Sequence, residues 1–169
     1  KVGMLSQIID EGDSNLHDVD RGVLKIKMHN TMRIAGGRWT TTGFNVRQLY
    51  EGLSAGEAII ILCDLYEPKE EKRFHAPFFG GELAVASGIA RIAEKSGARL
   101  VYGVAKEETW RLRIELRPLP QDPWQGLRAA IEELEKDVLA APWQWWQWPG
   151  LGALWRSGQL GNEKGDGCT

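Results

Sequence analysis

The 169-residue sequence lacks both a long apolar run and an excess of one charge. No apolar stretch approaches the roughly 18 to 20 residues of a membrane-spanning helix, and no signal peptide opens the chain. Basic and acidic residues nearly balance, at 21 against 23, so nothing indicates a nucleic-acid partner. The length suits one ordinary hydrophobic core and is short for two. We therefore expect one domain, and any membrane contact is expected to be peripheral.

Cysteine is scarce as well. Cys63 and Cys168 are far apart, and they form neither a Cys-x-x-Cys pair nor a disulfide framework. This usage suits a reducing compartment. Cys63 follows an apolar run and is expected to pack as a small hydrophobic residue.

An acidic stretch near the start of the sequence contains one histidine among its carboxylates. Oxygen-rich loops bind hard cations, so a soluble α/β metal enzyme is one alternative interpretation. The spacing does not match an EF-hand loop, and capping or solvated carboxylates are the favoured reading. We therefore expect no metal site and no cofactor. The residues of this alternative are Asp13, His17, Asp18 and Asp20.

Tryptophan, in contrast, is abundant, with eight residues of which five lie between positions 143 and 155. Indole rings concentrate at the membrane–water interface, where the N–H group is satisfied by water or lipid. We expect residues 142–156 to contact a membrane surface, although the segment could also fold back and bury its rings. The residues expected to make this contact are Trp145, Trp146, Trp148, Trp155 and Arg156.

The periodicity of apolar residues predicts an α/β fold with a mixed β-sheet flanked by helices. The predicted helices cover about 18–35, 42 or 45 to 53, 82–96 and 124–140, and the predicted strands cover 38–42, 58–62, 100–105 and 110–117. The strand at 58–62 is wholly apolar, as expected for a strand covered on both faces. The strand at 110–117 alternates strictly, so its apolar face should be buried. Residues 67–75 are predicted to form a charged loop, and 106–108 a hairpin turn.

Several short motifs occur in a characteristic order. They are Arg33-Ile34-Ala35-Gly36-Gly37, the Leu-x-x-Gly pairs at 49–52 and 53–56, an apolar strand into Asp64, Pro77-Phe78-Phe79-Gly80, the helix at 88–98, Pro118-Leu119-Pro120, and the Pro-Trp-Gln-Trp-Trp-Gln-Trp run at 142–148. In order and spacing, residues 20–156 resemble the lipid A biosynthesis (lauroyl/myristoyl) acyltransferase family, a branch of the lysophospholipid acyltransferase-like superfamily. One departure is Leu65, which stands where the family has Gln after the strand-end Asp.

The catalytic pair of that family, a His with an acidic residue five positions later, is absent from this sequence. The residues five positions after His17, His29 and His75 are glycine, isoleucine and glycine. Because the family's pair precedes the Arg33 block, and because the sequence begins with Lys1, we expect the C-terminal portion of the enzyme. Residues 1–156 would form that part of one acyltransferase-like domain, and 157–169 a disordered tail.

The resemblance implies a transfer of a fatty acyl group from an acyl-carrier-protein or coenzyme A thioester to a hydroxyl of a glycolipid such as a lipid A precursor. It places the enzyme peripherally on the cytoplasmic side of the bacterial inner membrane. No catalytic residue is assigned in this chain, which alone should be inactive. The substrate-binding residues that the resemblance implies are Arg33, Asp64, Phe78, Phe79 and Gly80. The first alternative is a membrane-peripheral lipid-binding module that keeps this fold without catalysis.

Overall fold

The computed structural model describes residues 1–6, 18–41, 46–64 and 73–157. The chain is mixed α/β, as predicted, and its described strands form three small sheets where one mixed sheet was expected. The elements are β1 (Val2–Ser6), α1 (Asp18–Ala35), β2 (Gly36–Thr41), α2 (Arg47–Ser54), β3 (Ala58–Ile61), β4 (Arg73–Phe78), β5 (Gly81–Ala86), α3 (Gly88–Ser96), β6 (Val101–Glu108), β7 (Arg111–Pro118), α4 (Pro123–Ala140), α5 (Leu151–Leu154) and β8 (Trp155–Ser157). Two short 3₁₀ turns, Pro142–Gln144 and Trp148–Gly150, connect α4 to α5.

The chain divides into two compact units. The first unit comprises Lys1–Leu62 with Lys95–Ala98, and the second comprises Cys63–Glu94 with the chain from Arg99 onward. In the first unit, β1 lies between β2 and β3 and pairs with both in parallel. The buried side chain of Leu49 anchors α2 in this unit.

The apolar strand β3 is not covered on both faces, so that prediction is wrong. Ile60 is exposed, as is Leu62 just beyond the strand. The two faces of β3 differ, because Ala58 and Ile60 on one face are exposed while Ile59 and Ile61 on the other are partly buried.

The second unit is built around α4. Asp122 caps this helix by accepting hydrogen bonds from the backbone N–H groups of Trp124 and Gln125, and Pro123 occupies the first turn, where a missing N–H costs nothing. One apolar stripe of this helix, at the spacing of an amphipathic helix, is its buried face. It comprises Leu127, Ala130, Ile131, Leu134 and Val138. Against it packs the antiparallel sheet of β4, β5 and β8.

The segment 82–86 is strand β5 and not the start of a helix, and 73–75 belong to β4 and not to a loop. The two strands form an antiparallel hairpin in which Phe78 pairs with Gly81. Leu83 and Val85 are fully buried on this sheet. The small residues Ala84 and Ala86 allow β5 to occupy the centre of a tightly packed sheet, and α3 begins only at Gly88.

The hairpin of β6 and β7 is longer than predicted. Strand β6 continues through Glu108, and the turn lies at Thr109 and Trp110 and not at 106–108. Cross-strand ion pairs lengthen the ladder, since Arg113 binds Glu108 at 3.0 Å and Lys106 binds Glu115 at 3.1 Å. The apolar side of β7 is exposed, so the prediction that this face is buried is wrong. Its charged side faces α4 instead, through the bonds of Arg117 to that helix.

Candidate functional site

The candidate site contains a tight turn at Phe79 and Gly80. Both residues have positive φ, at 49° and 71°, as in the two-residue turns that match the twist of a β-hairpin. Glycine adopts this conformation without penalty, whereas for phenylalanine it costs on the order of 1–3 kcal/mol. A carboxylate of α4 stabilises it, because the backbone N–H of Phe79 donates to Oε1 of Glu135 at 2.6 Å. The turn is thereby attached to the core helix.

Strand β8 closes over the base of this turn. The indole Nε1 of Trp155 donates to the carbonyl oxygen of Phe78 at 2.8 Å, and Leu83 of β5 pairs with Trp155. Position 81 must be glycine for this approach, since a Cβ there would collide with the backbone oxygen of Arg156 and with the Trp155 ring. The glycine therefore admits an indole ring next to the sheet.

Four aromatic rings pack together beside the turn. Phe78 contacts both Phe79 and Trp145, with ring centroids 4.3 and 5.6 Å apart. Trp148 stacks on Phe79 at 6.1 Å and meets Trp145 edge-on at 4.9 Å. Offset-stacked and edge-on geometries are the favoured ones for ring quadrupoles. We call Phe78, Phe79, Trp145 and Trp148 the aromatic cluster.

Asp64 binds one ring of the aromatic cluster. Its Oδ2 accepts a hydrogen bond of 2.8 Å from the Nε1 of Trp145, and both side chains are buried. A buried indole N–H needs such an acceptor. The neighbouring Cys63 is no nucleophile, because burial and then the Asp64 charge raise the pKa of its thiol to about 12.

An apolar pocket of about 410 Å³ opens beside the aromatic cluster. Helix α4, the 3₁₀ turns, α5 and β8 supply its walls, and every lining side chain is apolar or aromatic. The lining residues are Phe79, Val138, Leu139, Pro142, Trp148, Leu151 and Trp155. Its volume lies in the range of small-molecule sites. An open pocket without charged walls suits a hydrocarbon and offers no partner to a charged ligand.

The predicted membrane-contact residues divide between surface and interior. Trp146, Trp148 and Arg156 are exposed, and Trp143, next to them, is exposed too. The assignment of Trp145 to the membrane surface is wrong, because the residue is only 7% exposed and its indole N–H donates to Asp64. Trp155 is half-buried and lines the pocket.

The predicted substrate-binding residues are also distributed differently from the expectation. Phe79 lines the pocket, whereas Phe78 is fully buried beneath it, and Gly80 is exposed in the turn. Arg33 lies exposed in the last turn of α1, in the first unit. Asp64 belongs to the second unit, and its observed partner is Trp145.

Several residues of the site have no clear signal in the sequence. Glu135 is one of several acidic residues of α4, and only the structure shows that it binds the turn at Phe79. Leu139 lies outside the apolar stripe of α4, and Leu151 follows the tryptophans in a short apolar stretch. Leu139 and Leu151 are single apolar residues at positions where the sequence predicts a polar surface. Such exposed apolar residues are too common in proteins to identify a pocket.

A set of charged side chains joins the β6–β7 hairpin to α4. Arg117 binds Asp137 at 3.0 Å and Glu133 at 2.6 Å, and Lys106 binds Asp137 at 2.9 Å. Hydrogen bonds from Arg117, Arg113 and Lys106 lower the pKa of Glu115 to about 2. Burial raises the pKa of Asp137, but hydrogen bonds from Arg117 and Lys106 outweigh it and hold that pKa below its ordinary value. We call this set the ion-pair network.

Within the described ranges, no group of three or more His, Cys, Asp or Glu side chains could hold a metal ion. Of the residues in the metal-enzyme alternative, Asp13 and His17 lie outside those ranges, and Asp18 and Asp20 lie in the first turn of α1. No helix among the described residues is long and apolar enough to span a bilayer.

A scan against protein-family models matched no family. A search of curated proteins also gave no match.

Proposed function

We propose that this chain is the lipid-binding C-terminal part of a membrane-peripheral acyltransferase of the lipid A biosynthesis type. The observation that carries the proposal is the apolar pocket of about 410 Å³ beside the aromatic cluster. Its aromatic and aliphatic walls fit the chain of a fatty acyl group and exclude a charged headgroup. The α/β fold of the chain would be the C-terminal part of the acyltransferase fold.

In this proposal the acyl chain of an acyl-carrier-protein or coenzyme A thioester enters the pocket. Phe79, Trp148 and Trp155 contact the hydrocarbon. The exposed indoles of Trp143 and Trp146 face the headgroup zone of the cytoplasmic side of the bacterial inner membrane. Arg156, also exposed, meets anionic headgroups there, and a glycolipid supplies the accepting hydroxyl.

Catalysis in the proposed family requires a general base for the acceptor hydroxyl, oriented by a carboxylate. None of the three histidines of this sequence is followed at the fifth position by an acidic residue. The proposal therefore assigns this chain the binding of the hydrocarbon and of the membrane surface, and assigns it no catalytic residue. Arg33 stays a candidate contact for phosphate or carboxylate, to which a planar guanidinium is suited.

The test separates hydrocarbon binding from membrane binding. Lauric acid binding is measured by calorimetry, and membrane binding by co-sedimentation with vesicles of phosphatidylethanolamine and phosphatidylglycerol. Leu139→Glu places a charge in the pocket wall and should weaken lauric acid binding at least tenfold, since a charge opposes a hydrocarbon neighbour. Trp146→Ala should weaken vesicle binding and leave lauric acid binding unchanged.

Val23→Glu is the matched control, because Val23 is an exposed aliphatic residue of α1 that does not line the pocket. It should alter neither assay. Absence of lauric acid binding by the unmodified chain, or equal loss with Val23→Glu and Leu139→Glu, would overturn the pocket assignment.

A second candidate is the lipid-binding module without catalysis, and the missing His–acid pair favours it. The DNA directly upstream of the Lys1 codon distinguishes the two candidates. An in-frame extension with His-x-x-x-x-Asp or Glu before Arg33 supports the acyltransferase. An extension without that pair, or a start codon next to Lys1, supports the binding module.

A further inference from the structure

The turn between β4 and β5 contains a residue that two-residue hairpin turns do not favour. Phe78 pairs with Gly81, so Phe79 and Gly80 form the whole loop, and both have positive φ. Asparagine, aspartate or glycine usually occupies the first position of such a loop, because these residues tolerate the left-handed region. A bulky residue with positive φ is an outlier, and such outliers are concentrated at functional sites. The turn itself therefore does not explain the phenylalanine.

The ring of Phe79 forms part of the pocket wall. It stacks on Trp148, with ring planes inclined at 11°, and both side chains line the pocket. The position of the ring depends on the backbone of Phe79, because a rotation of φ out of the left-handed region moves Cβ relative to β4. Such a rotation would carry the ring away from its present place in the wall. The conformation of this one residue therefore sets the shape of the aromatic wall.

Glu135 holds the turn from the other wall of the pocket. Its Oε1 accepts the backbone N–H of Phe79 at 2.6 Å, and hydrogen bonds to an ionised acceptor are stronger than those between neutral groups. This bond fixes the peptide group that precedes Phe79 relative to α4. Glu135 also lies one turn before Val138 and Leu139, which line the pocket. Its carboxylate therefore connects the helical wall of the pocket to the aromatic wall.

We propose that Glu135 is a positioning residue for hydrocarbon binding, which acts by holding the ring of Phe79 in the pocket wall. The proposal rests on the proposed function, in which this pocket takes a fatty acyl chain. Glu135 is not one of the described lining residues, so its effect on the ligand is indirect. Without its bond the turn populates conformations that withdraw the ring. If the fraction of molecules with a complete wall falls to about a tenth, the apparent affinity falls about tenfold.

The first test is lauric acid binding by the full chain, measured by calorimetry. Glu135→Ala should weaken binding about tenfold, because alanine preserves the helix but supplies no acceptor. Glu135→Gln, whose amide oxygen still accepts, should stay within about threefold of the unmodified chain. Glu132→Ala is the matched control, since Glu132 is an exposed carboxylate of the same helix, and it should leave binding unchanged. Equal losses with Glu135→Ala and Glu132→Ala would overturn the proposal.

A double-mutant cycle tests whether Glu135 acts through the ring of Phe79. Phe79→Asn removes the ring and supplies a residue that suits the left-handed turn. In that background Glu135→Ala should change lauric acid binding by less than about twofold, because the group that Glu135 positions is gone. Full additivity of the two losses would overturn the proposal, since the effect of Glu135 would then be exerted on another part of the pocket.

A measurement without ligand separates a failure of this proposal from a failure of the proposed function. The stacked ring of Phe79 shifts the NMR signal of the Trp148 indole N–H. In Glu135→Ala that signal should move towards its position in Phe79→Asn, and an unmoved signal would overturn the proposal even where lauric acid binds. If the unmodified chain binds no lauric acid, the proposed function fails, and the signal alone decides whether Glu135 positions the ring.

Circular dichroism and thermal melting establish that each variant is folded. Glu135→Met, which fills a similar space without a strong acceptor, replaces Glu135→Ala in both assays if the alanine variant does not fold. The same losses are expected of it, and unchanged binding together with an unmoved Trp148 signal would overturn the proposal.

Discussion

Asp64 is a buried carboxylate whose observed task is to accept the indole N–H of Trp145 at 2.8 Å. Removing an acceptor leaves a buried donor without a partner, which costs about 1–3 kcal/mol. We expect Asp64→Ala to lower the free energy of unfolding by about that amount and Asp64→Asn, whose amide oxygen still accepts, by clearly less. Urea denaturation followed by tryptophan fluorescence measures both. Equal losses in the two variants would contradict the hydrogen-bonding role.

The free energy of unfolding should depend on pH through Glu115 and Asp137. Both have lowered pKa values in the folded chain, that of Glu115 at about 2 against an ordinary 4.5. Between these values the unfolded chain binds protons that the folded chain does not, so acid favours unfolding. We expect the free energy of unfolding to decrease as the pH falls from about 5 to about 2.

The measurement is urea denaturation at a series of pH values in that window. Glu115→Gln removes one titrating carboxylate and should flatten the dependence, whereas Glu94→Gln, a change at an exposed residue of α3, should leave the slope as it is. A slope that Glu115→Gln does not alter would assign the acid sensitivity to other carboxylates.

At the scale of elements, the pairing of β5 with β8 depends on the absence of a Cβ at Gly81. A Cβ at position 81 would collide with the backbone of Arg156 and the ring of Trp155, both in β8. We expect Gly81→Ala to lower the free energy of unfolding by about 2–4 kcal/mol and to open the pocket wall that Trp155 supplies. Lauric acid binding should weaken in parallel.

Gly88→Ala is the control for that substitution. Gly88 begins α3, its φ is not in the left-handed region, and a Cβ there would meet no neighbouring atom. The change should be neutral or slightly stabilising, because alanine favours the helix and restricts the unfolded chain. A similar loss in both variants would point to a general intolerance of substitution and not to the close approach of β8.

Local pattern predicted some elements well and misassigned others for identifiable reasons. Helix α4 was predictable because its cap, its proline and its apolar stripe agree with one another. Strand β5 was not, because Ala84 and Ala86 suit a helix locally and the pairing with β4 is a non-local choice. The exposed face of β7 reversed the usual rule that the apolar side is buried. There, the face of β7 that carries Arg117 lies against α4, and the alternation of side chains along the strand leaves the aliphatic face exposed.

For the molecule as a whole, we predict that the 169-residue chain alone transfers no acyl group. The physical reason is that no histidine in the sequence has an acidic residue five positions later to orient it. The measurement is incubation with lauroyl-coenzyme A or lauroyl acyl carrier protein and a lipid A precursor, with mass detection of the product. Turnover above the uncatalysed rate would contradict this prediction.

The candidate site was predictable in composition but not in arrangement. A dense set of tryptophans marks residues 142–156, several of which line the pocket, yet composition does not distinguish a ring that faces solvent from one that packs inward. Trp145 and Trp146 are adjacent in sequence, yet Trp145 is buried and Trp146 is exposed. The difference is made by Asp64, which is 81 positions away in sequence from the indole it binds. Such a long-range partner leaves no local pattern.

The edge-on geometry of Trp145 and Trp148 has an optical consequence. With ring centroids 4.9 Å apart and planes inclined at 78°, the electronic transitions of the two indoles couple as an exciton pair. The native chain should therefore carry a pair of ultraviolet dichroic bands of opposite sign that neither isolated indole produces. That couplet is a label-free reporter of the candidate site, and it should vanish when the rings separate even if the helices stay intact.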